Sequence, residues 1–404
     1  MRWRALSVVV PTYAREEVLI DTVQQLIEQA GGRCEVLVVD QTLRHKGAIE
    51  DQLHRWDQDG AMRWIRLPEP SITHAMNVGL GHASHPFVLF LDDDILPSPG
   101  LVEEHVRAHR EHPDAWAVVG QVLQPEDWDG QLRVDPATAG KSCELRVDGG
   151  NDEWRMMNEE GGGNGRGQKS EHRRQRAEDR ELRVEPATAG KSCELGVNGR
   201  TADQQEDRRE REEDRDQETR DHGPGTTHSR LVELTGDLDF DFASDEGRFV
   251  RNVMAGNLSV KRDMALEIGG FDENFVGSAY RFETEFAKRI LANGGKIWFE
   301  PRASIKHLRA ERGGTRAEGS HLTSMSPRHG VGDYYYALKC GEGWERAKYV
   351  LRRPFREVRT KFHLKHPRWI PVKFIGELRA LMKALRLYHH GPRLLPTNNT
   401  NRHE

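Results

Sequence analysis

Three consecutive aspartates, Asp92–Asp94, follow five apolar residues in the stretch FVLFLDDDILPSPG, residues 87–100. The apolar run Phe87–Leu91 reads as a short buried strand, and Pro97 and Pro99 oppose its simple continuation. Adjacent carboxylates repel one another and resist burial unless positive charge sits among them. Such a cluster suits a hard divalent cation, Mg²⁺ or Mn²⁺, which takes oxygen ligands and shares them with substrate phosphates. In an extended chain Asp92 and Asp94 project to one side and Asp93 to the other, so all three are not expected on one ion. A cation held there would neutralise a diphosphate and stabilise it as a leaving group. A polar loop capping a strand, or a metal enzyme of another class, would show the same three residues.

The elements that must position these aspartates alternate regularly. LSVVV (6–10) is a β-branched run ended by Pro11, and EEVLIDTVQQLIEQA has apolar residues at helical spacing before Gly31 and Gly32 stop it. CEVLVVD (34–40) is a second buried strand, followed by a polar helix around 47–55, a short strand at 63–67 and a helix at 73–82. Beyond the 87–91 strand come a helix over 99–112 and a strand at 115–120, AWAVVG. Continuous apolar strands alternating with helices predict a doubly wound, mostly parallel α/β sheet with helices on both faces. Ligands bind such sheets beyond the carboxyl ends of the strands, where Thr12, Asp40 and Asp92–Asp94 fall.

The chain has 404 residues, of which 31% are charged and only 36% hydrophobic. That deficit is concentrated at 130–230, where Glu, Asp, Arg, Gln and Gly dominate. Within it LRVDPATAGKSCELRVDG (132–149) recurs as LRVEPATAGKSCELGVNG (182–199). Two copies are too few for a solenoid. AGKS is no phosphate loop either, because Asp135 and Glu185 stand where the motif needs glycine. The composition predicts a disordered insertion, of a length that loop entropy tolerates.

Globular patterning resumes after about residue 231. AGNLSV (255–260) reads as a strand, KRDMALEIGG as a short helix closed by glycines, ETEFAKRILANGG as an amphipathic helix, and KIWFEP (296–301) as a last strand. From Arg346 to Arg393 the chain is strongly basic with interleaved apolar residues, a pattern that fits a helix lying on an anionic membrane or the solvated face of helices packed on the core. The net charge of −5 argues against a nucleic-acid binder. Cys34, Cys143, Cys193 and Cys340 form no CxxC pair, so a reducing compartment fits. No stretch reaches the length of a membrane span. A cytoplasmic location is expected, with peripheral contact at the inner face of a membrane as the option the basic region opens.

The segments VVVPTYAREE, EVLVVDQT, ITHAMNVGL, VLFLDDDILP, AGNLSVKRDMALEIGGFDENF, YRFETEFAKRI and FEPRASIKHLRAERGGTR occur in one order. That ordered set resembles family 2 glycosyltransferases of the GT-A fold, over roughly 1–125 and 231–340. The resemblance implies an inverting enzyme that moves a sugar from a nucleotide-diphospho-sugar donor to a hydroxyl of a glycan or lipid-linked acceptor, assisted by Mn²⁺ or Mg²⁺. It divides the chain into a donor-binding half (1–129), the insertion (130–230), an acceptor and catalytic half (231–340) and a basic helical C-terminal region with its tail (341–404).

Residue by residue, the resemblance implies that Pro11, Thr12 and Tyr13 line the nucleotide pocket with Glu16 nearby, and that Asp40 accepts from the base. Asn77 lies in the segment shaping the donor site. Asp92 faces the ribose and the metal, Asp93 completes the acidic motif on the donor side, and Asp94 ligates the metal. His307 resembles a late histidine used on the metal or the diphosphate. Glu283 is the expected general base, with Glu285 as the alternative. Two departures bear on this. Met76 stands where many relatives carry an arginine, shifting donor charge compensation to Arg15, the metal, or Arg309 and Arg312. Phe282-Glu283-Thr284-Glu285 replaces a common Glu-Asp pair, which leaves the register of the base open. Two other readings compete: a sugar-phosphate nucleotidyltransferase, whose glycine-rich phosphate loop PTYAREE lacks, and a non-catalytic sugar-nucleotide binder disabled by the insertion.

Overall fold

A computed structural model describes residues 6–32, 34–127, 241–310, 313–314 and 320–396. The insertion at 130–230, with its repeat, Cys143 and Cys193, lies outside the described residues, as does Arg312. The first half alternates as its apolar runs require. Strands β1 (Leu6–Thr12), β2 (Glu35–Asp40), β3 (Arg63–Arg66) and β4 (Phe87–Leu91) are joined by helices α1 (Glu17–Ala30), α2 (Gly47–Gln58) and α3 (Ile72–His82). After the aspartates a short strand β5 (Ile95–Pro97) leads into α4 (Leu101–Glu111) and β6 (Ala115–Leu123).

Beyond the undescribed segment come β7 (Arg248–Val250), β8 (Asn257–Lys261), α5 (Arg262–Glu267), α6 (Phe282–Ala292) and β9 (Lys296–His307). Four helices follow: α7 (Val331–Cys340), α8 (Gly343–Glu357), α9 (Lys361–Lys365) and α10 (Ile370–His389). None of the described helices is long and apolar enough to cross a membrane. Cys34 and Cys340 are both half-buried.

The strands form one sheet in the order β3-β2-β1-β4-β8-β6-β9-β5, with β7 also paired to β9. Its β3-β2-β1-β4 half is parallel, as the alternation predicts. The remainder is mixed: β8 runs antiparallel to both β4 and β6, β9 is parallel to β6, and β5 and β7 are antiparallel to β9. The sheet is therefore wholly parallel only on the side of the first strands, with β6-β9 a further parallel pair in the mixed part. Non-local pairing decides the rest, and periodicity within a strand carries no record of it.

Two strands run further than their apolar runs. Strand β1 continues through Pro11 to Thr12 because its pairing with β4 stops at Val9, leaving only β2 beside the proline. Strand β9 continues past Pro301 to His307, a long element whose far end pairs with β5, Ile95 opposite His307. The core lies on both faces of the sheet, with Val8, Val10, Leu37, Phe90, Val119, Leu258 and Phe299 essentially inaccessible to solvent.

The C-terminal helices belong to the same body. Helix α7 buries Tyr334, Tyr335 and Tyr336 and packs against α10. The tail then returns to the glycine turn after α5, where the Leu395 N–H donates to the Gly269 carbonyl at 2.8 Å and Arg393 N–H to Asp272 Oδ1 at 2.9 Å.

Candidate active site

The carboxyl ends of β1 and β4 are neighbours, and the acidic turn sits just beyond them. Asp93 points back to β1, accepting from Thr12 Oγ1 at 2.7 Å and Arg15 Nε at 3.1 Å. Asp94 accepts from Arg15 Nη2 at 3.0 Å and from the Ala310 N–H at 2.8 Å. Arg15 is itself buried and also donates to the Ala310 carbonyl. It supplies the internal positive charge that three adjacent carboxylates demand. Asp92 is the most open of the three, with its side chain 40% exposed.

His307, at the end of β9, presents Nε2 3.3 Å from Asp94 Oδ1 and 3.8 Å from Asp92 Oδ2. The strand pairing of Ile95 with His307, and the Leu308 N–H bonded to the Asp94 carbonyl at 2.8 Å, fix that approach. One ligand atom from each of Asp92, Asp94 and His307 lies within 4.8 Å of the others. Asp92 and Asp94 come together with His307 while Asp93 turns to Thr12, the division expected of an extended chain, although Asp93 and Asp94 sit in a bend and share Arg15. His307 Nδ1 lies 3.3 Å from Gln124 Oε1, which also accepts from Arg309 Nε at 3.0 Å. The Gln124 amide oxygen at Nδ1 orients the ring so that Nε2 faces the carboxylates.

The electrostatics separate the two buried aspartates. Burial raises the Asp94 carboxyl, but His307, Arg15 and the Ala310 N–H outweigh it and bring it down to about 2. For Asp93 burial dominates and, helped by Asp94 and Asp92, pushes it up to about 6 against the Arg15 guanidinium. Burial opposes the charge on Arg15, and Asp93 and Asp94 more than restore it.

Glu283 and Glu285, both in the first turn of α6, have different surroundings. Glu283 Oε1 accepts the Ala255 N–H at 2.5 Å. Burial, reinforced by the nearby Asp92 charge, pushes its carboxyl up to about 7, with the Ala255 N–H pulling the other way. Glu285 is turned into the body, ion-paired to Arg289 at 2.7 Å and Lys339 at 2.8 Å. Gly256 follows Ala255 and abuts Asp92: a Cβ there would lie 2.3 Å from Asp92 Oδ2. The single backbone unit Ala255-Gly256 thus holds Glu283 on one side and touches Asp92 on the other.

Helix α6 starts from Arg281, whose backbone is left-handed at φ 69° and whose side chain is buried. Its Nε lies 2.6 Å from Asp333 Oδ1, and Asp333 also meets Tyr349 and Arg353. Arg353 continues to Glu377 at 3.2 Å, and Glu377 to Lys373 at 2.9 Å. A buried ionic chain therefore runs from the start of α6 through α7 and α8 to α10.

The residues expected around the nucleotide are placed less uniformly. Pro11 and Thr12 end β1, and the Tyr13 carbonyl accepts from the Gly314 N–H at 2.7 Å. Asp40 is fully buried, its oxygens accepting from the Thr42 N–H, His45 Nε2 and Trp64 Nε1 at 2.8, 2.7 and 3.0 Å. Any base recognition by Asp40 thus competes with His45 and Trp64. Glu16 lies 3.6 Å from the other nitrogen of His45. Asn77 is occupied by the glycine turn, exchanging hydrogen bonds with the Phe271 backbone at 2.7 and 2.8 Å. Met76 is buried in the core. Of the arginines considered for charge compensation, Arg15 is committed to Asp93 and Asp94, and Arg309 reaches Gln124.

Sequence reasoning missed Gln124, Gly256 and Arg281, none of which carries a local signal of its role. The i,i+4 spacing of Glu285 and Arg289 is a signal from which the pairing of Glu285 could have been found.

Residues 7–170 match the family model described as glycosyl transferase family 2. No curated protein matches the chain. Similar solved structures include the mannosyltransferase PcManGT from Pyrobaculum calidifontis in complex with GDP-Man and Mn²⁺, 16% identical over 96% of this chain and 80% of that one, TM-score 0.43. GalNAc-T7 with UDP, GalNAc and Mn²⁺ is 15% identical over 84% of this chain and 51% of its own, TM-score 0.42. TarS 1-349 of S. aureus is 19% identical over 35% and 38%, TM-score 0.27.

Proposed function

We propose that the chain, whose residues 7–170 match the glycosyl transferase family 2 model, transfers a sugar from a nucleotide-diphospho-sugar to an acceptor hydroxyl with inversion, Glu283 serving as the general base. The observation that carries this reading is the Ala255-Gly256 unit, which sets a carboxyl raised to about 7 beside the acidic turn. A base of that pKa is ionised in useful amount near neutrality and still takes a proton readily.

In this reading the nucleotide lies over the ends of β1 and β2, against Pro11, Thr12 and Tyr13. Asp93, tied to Thr12 and Arg15, keeps β1 and the acidic turn in register. Glu283 takes the proton of the acceptor hydroxyl as that oxygen bonds to the anomeric carbon. The bond from that carbon to the diphosphate oxygen breaks on the opposite face, and its electron pair leaves with the nucleoside diphosphate. Two carboxylates and an imidazole fit a divalent cation, with Asp92, Asp94 and His307 as its protein ligands; the imidazole favours Mn²⁺ over Mg²⁺, which prefers oxygen alone. Bound there, the cation supplies charge neutralisation to the leaving diphosphate. Glu285, neutralised by Arg289 and Lys339, has a structural part.

Calorimetric titration of UDP and GDP into wild type and Asp94→Ala, with and without Mn²⁺, tests the donor site. Binding that requires both the ion and Asp94 supports the reading and identifies the nucleotide. Absence of diphosphate binding under every condition would sink it. Once donor and acceptor are known, the anomeric configuration of the product, read by NMR, tests inversion.

A further inference from the structure

Helix α10 is inverted with respect to the rule that apolar faces turn inward. Its buried stripe is Lys373, Gly376, Glu377, Ala380 and Ala384. Its outward stripe is Ile375, Leu378, Met382 and Leu385, from 37% to 53% exposed and repeating at helical spacing. The neighbouring α8 does the same, burying Tyr349 and Arg353 while Trp344, Leu351 and Phe355 stand 71%, 63% and 54% exposed.

The two helices lie antiparallel, since Phe355 meets Phe374 at 5.7 Å between ring centroids and Arg346 reaches the Tyr388 hydroxyl at 3.3 Å. Their outward faces therefore join into one apolar surface. Basic residues border it: Arg352 and Arg356 on α8, Arg379 and Arg386 on α10, all exposed. The exposed Leu364 of α9 lies between Lys361 and Lys365. The Glu377 carboxylate is drawn inward onto Arg353 and Lys373, and Glu357 is shared among Arg353, Lys373 and the bordering Arg356, so Arg352, Arg379 and Arg386 carry the positive charge of the rim.

We propose that the joined outward face of α8 and α10 docks on an anionic lipid bilayer, with the apolar stripe entering the headgroup and acyl boundary and the bordering arginines meeting lipid phosphates. A contiguous apolar surface on a folded body marks an interaction site. A basic rim around such a surface matches an anionic leaflet, which draws each nearby Lys or Arg. A second copy of the chain is the poorer occupant, because it would bring two positive rims together. The inference is independent of the proposed chemistry, since none of these residues touches the acidic turn or Glu283 in the contacts described above.

The test is co-sedimentation of the full chain with phosphatidylcholine vesicles, with and without phosphatidylglycerol. Wild type, Leu378→Glu/Met382→Glu and Arg379→Glu/Arg386→Glu are compared, each checked for an unchanged circular dichroism spectrum. Wild type should partition onto the anionic vesicles about tenfold more strongly than onto neutral ones, and each double variant should lose about tenfold. Wild type remaining in the supernatant, or variants binding as well as wild type, overturns the proposal. So does a dimer, seen by light scattering, that Leu378→Glu/Met382→Glu dissolves while vesicles recover no protein.

Discussion

Gly256 and Asp92 are in contact: a Cβ on Gly256 would fall 2.3 Å from Asp92 Oδ2, and the Asp92 N–H bonds to the Gly256 carbonyl at 3.3 Å. Glycine is needed here for close approach. Gly256→Ala must push away the most exposed carboxylate of the cluster while leaving Asp94 and His307 in place. Mn²⁺ affinity, measured by calorimetry, is expected to fall about 10- to 100-fold, as for other losses of ligand orientation. Unchanged affinity would show that Asp92 is not a ligand.

Gln124 orients His307 through Nδ1. Gln124→Leu removes the acceptor and is expected to weaken Mn²⁺ binding by about tenfold. Gln124→Glu, which keeps an acceptor, should restore most of it. Equal loss in both variants would mean that the residue only fills space.

Glu283 gives a pH signature with a definite sign. A carboxyl raised to about 7 is protonated below that pH and cannot accept the acceptor's proton. Turnover should therefore rise with pH through about 7 and level off above it. Glu283→Gln should lower kcat by about 10²- to 10⁴-fold and abolish that limb, whereas Glu285→Gln should act on stability through Arg289 and Lys339. A full pH limb in Glu283→Gln assigns the base elsewhere.

Asp333 anchors the start of α6 between Arg281 and Arg353. Asp333→Ala leaves two buried guanidinium groups without it, and urea denaturation should show a loss of about 3–5 kcal/mol. Burial alone would raise the Asp333 carboxyl, yet Arg353 and Arg281 hold it at about 2, below its ordinary 3.8. A depressed carboxyl stabilises the fold above its ordinary pKa, and that stability is lost as pH falls from about 4 toward 2. Acid unfolding of wild type should therefore include a component in that window that Asp333→Asn lacks.

Local signals carried the acidic turn. An apolar strand running into three aspartates is a contradiction within eight residues, and strand alternation anticipated its resolution, two carboxylates beside His307 and one turned to Thr12, although a bend delivers it. His307 was legible only through the ordered motifs, because its neighbours come from β5, 212 residues earlier along the chain by the pairing of Ile95 with His307. Arg15 could be weighed as a cation but not assigned, since nothing within its own segment points to Asp93 and Asp94. The parallel half of the sheet was readable because its connections are short helices. The insertion of β8 between β4 and β6 was not, because the whole undescribed segment lies between β8 and both strands it joins. The inverted faces of α8 and α10 were half visible as a basic run with interleaved apolar residues. Which stripe turned inward was decided by the buried partners of Arg353, Glu377 and Lys373.

The position of β8 has a consequence for synthesis. Strands β4 and β6 leave the ribosome early, yet the strand that bridges them is made more than a hundred residues later. At roughly 5–20 residues per second the nascent chain carries one edge of β4 and both edges of β6 without their partners for on the order of ten seconds. Unpaired strand edges are aggregation-prone, and slowing translation lengthens the exposure.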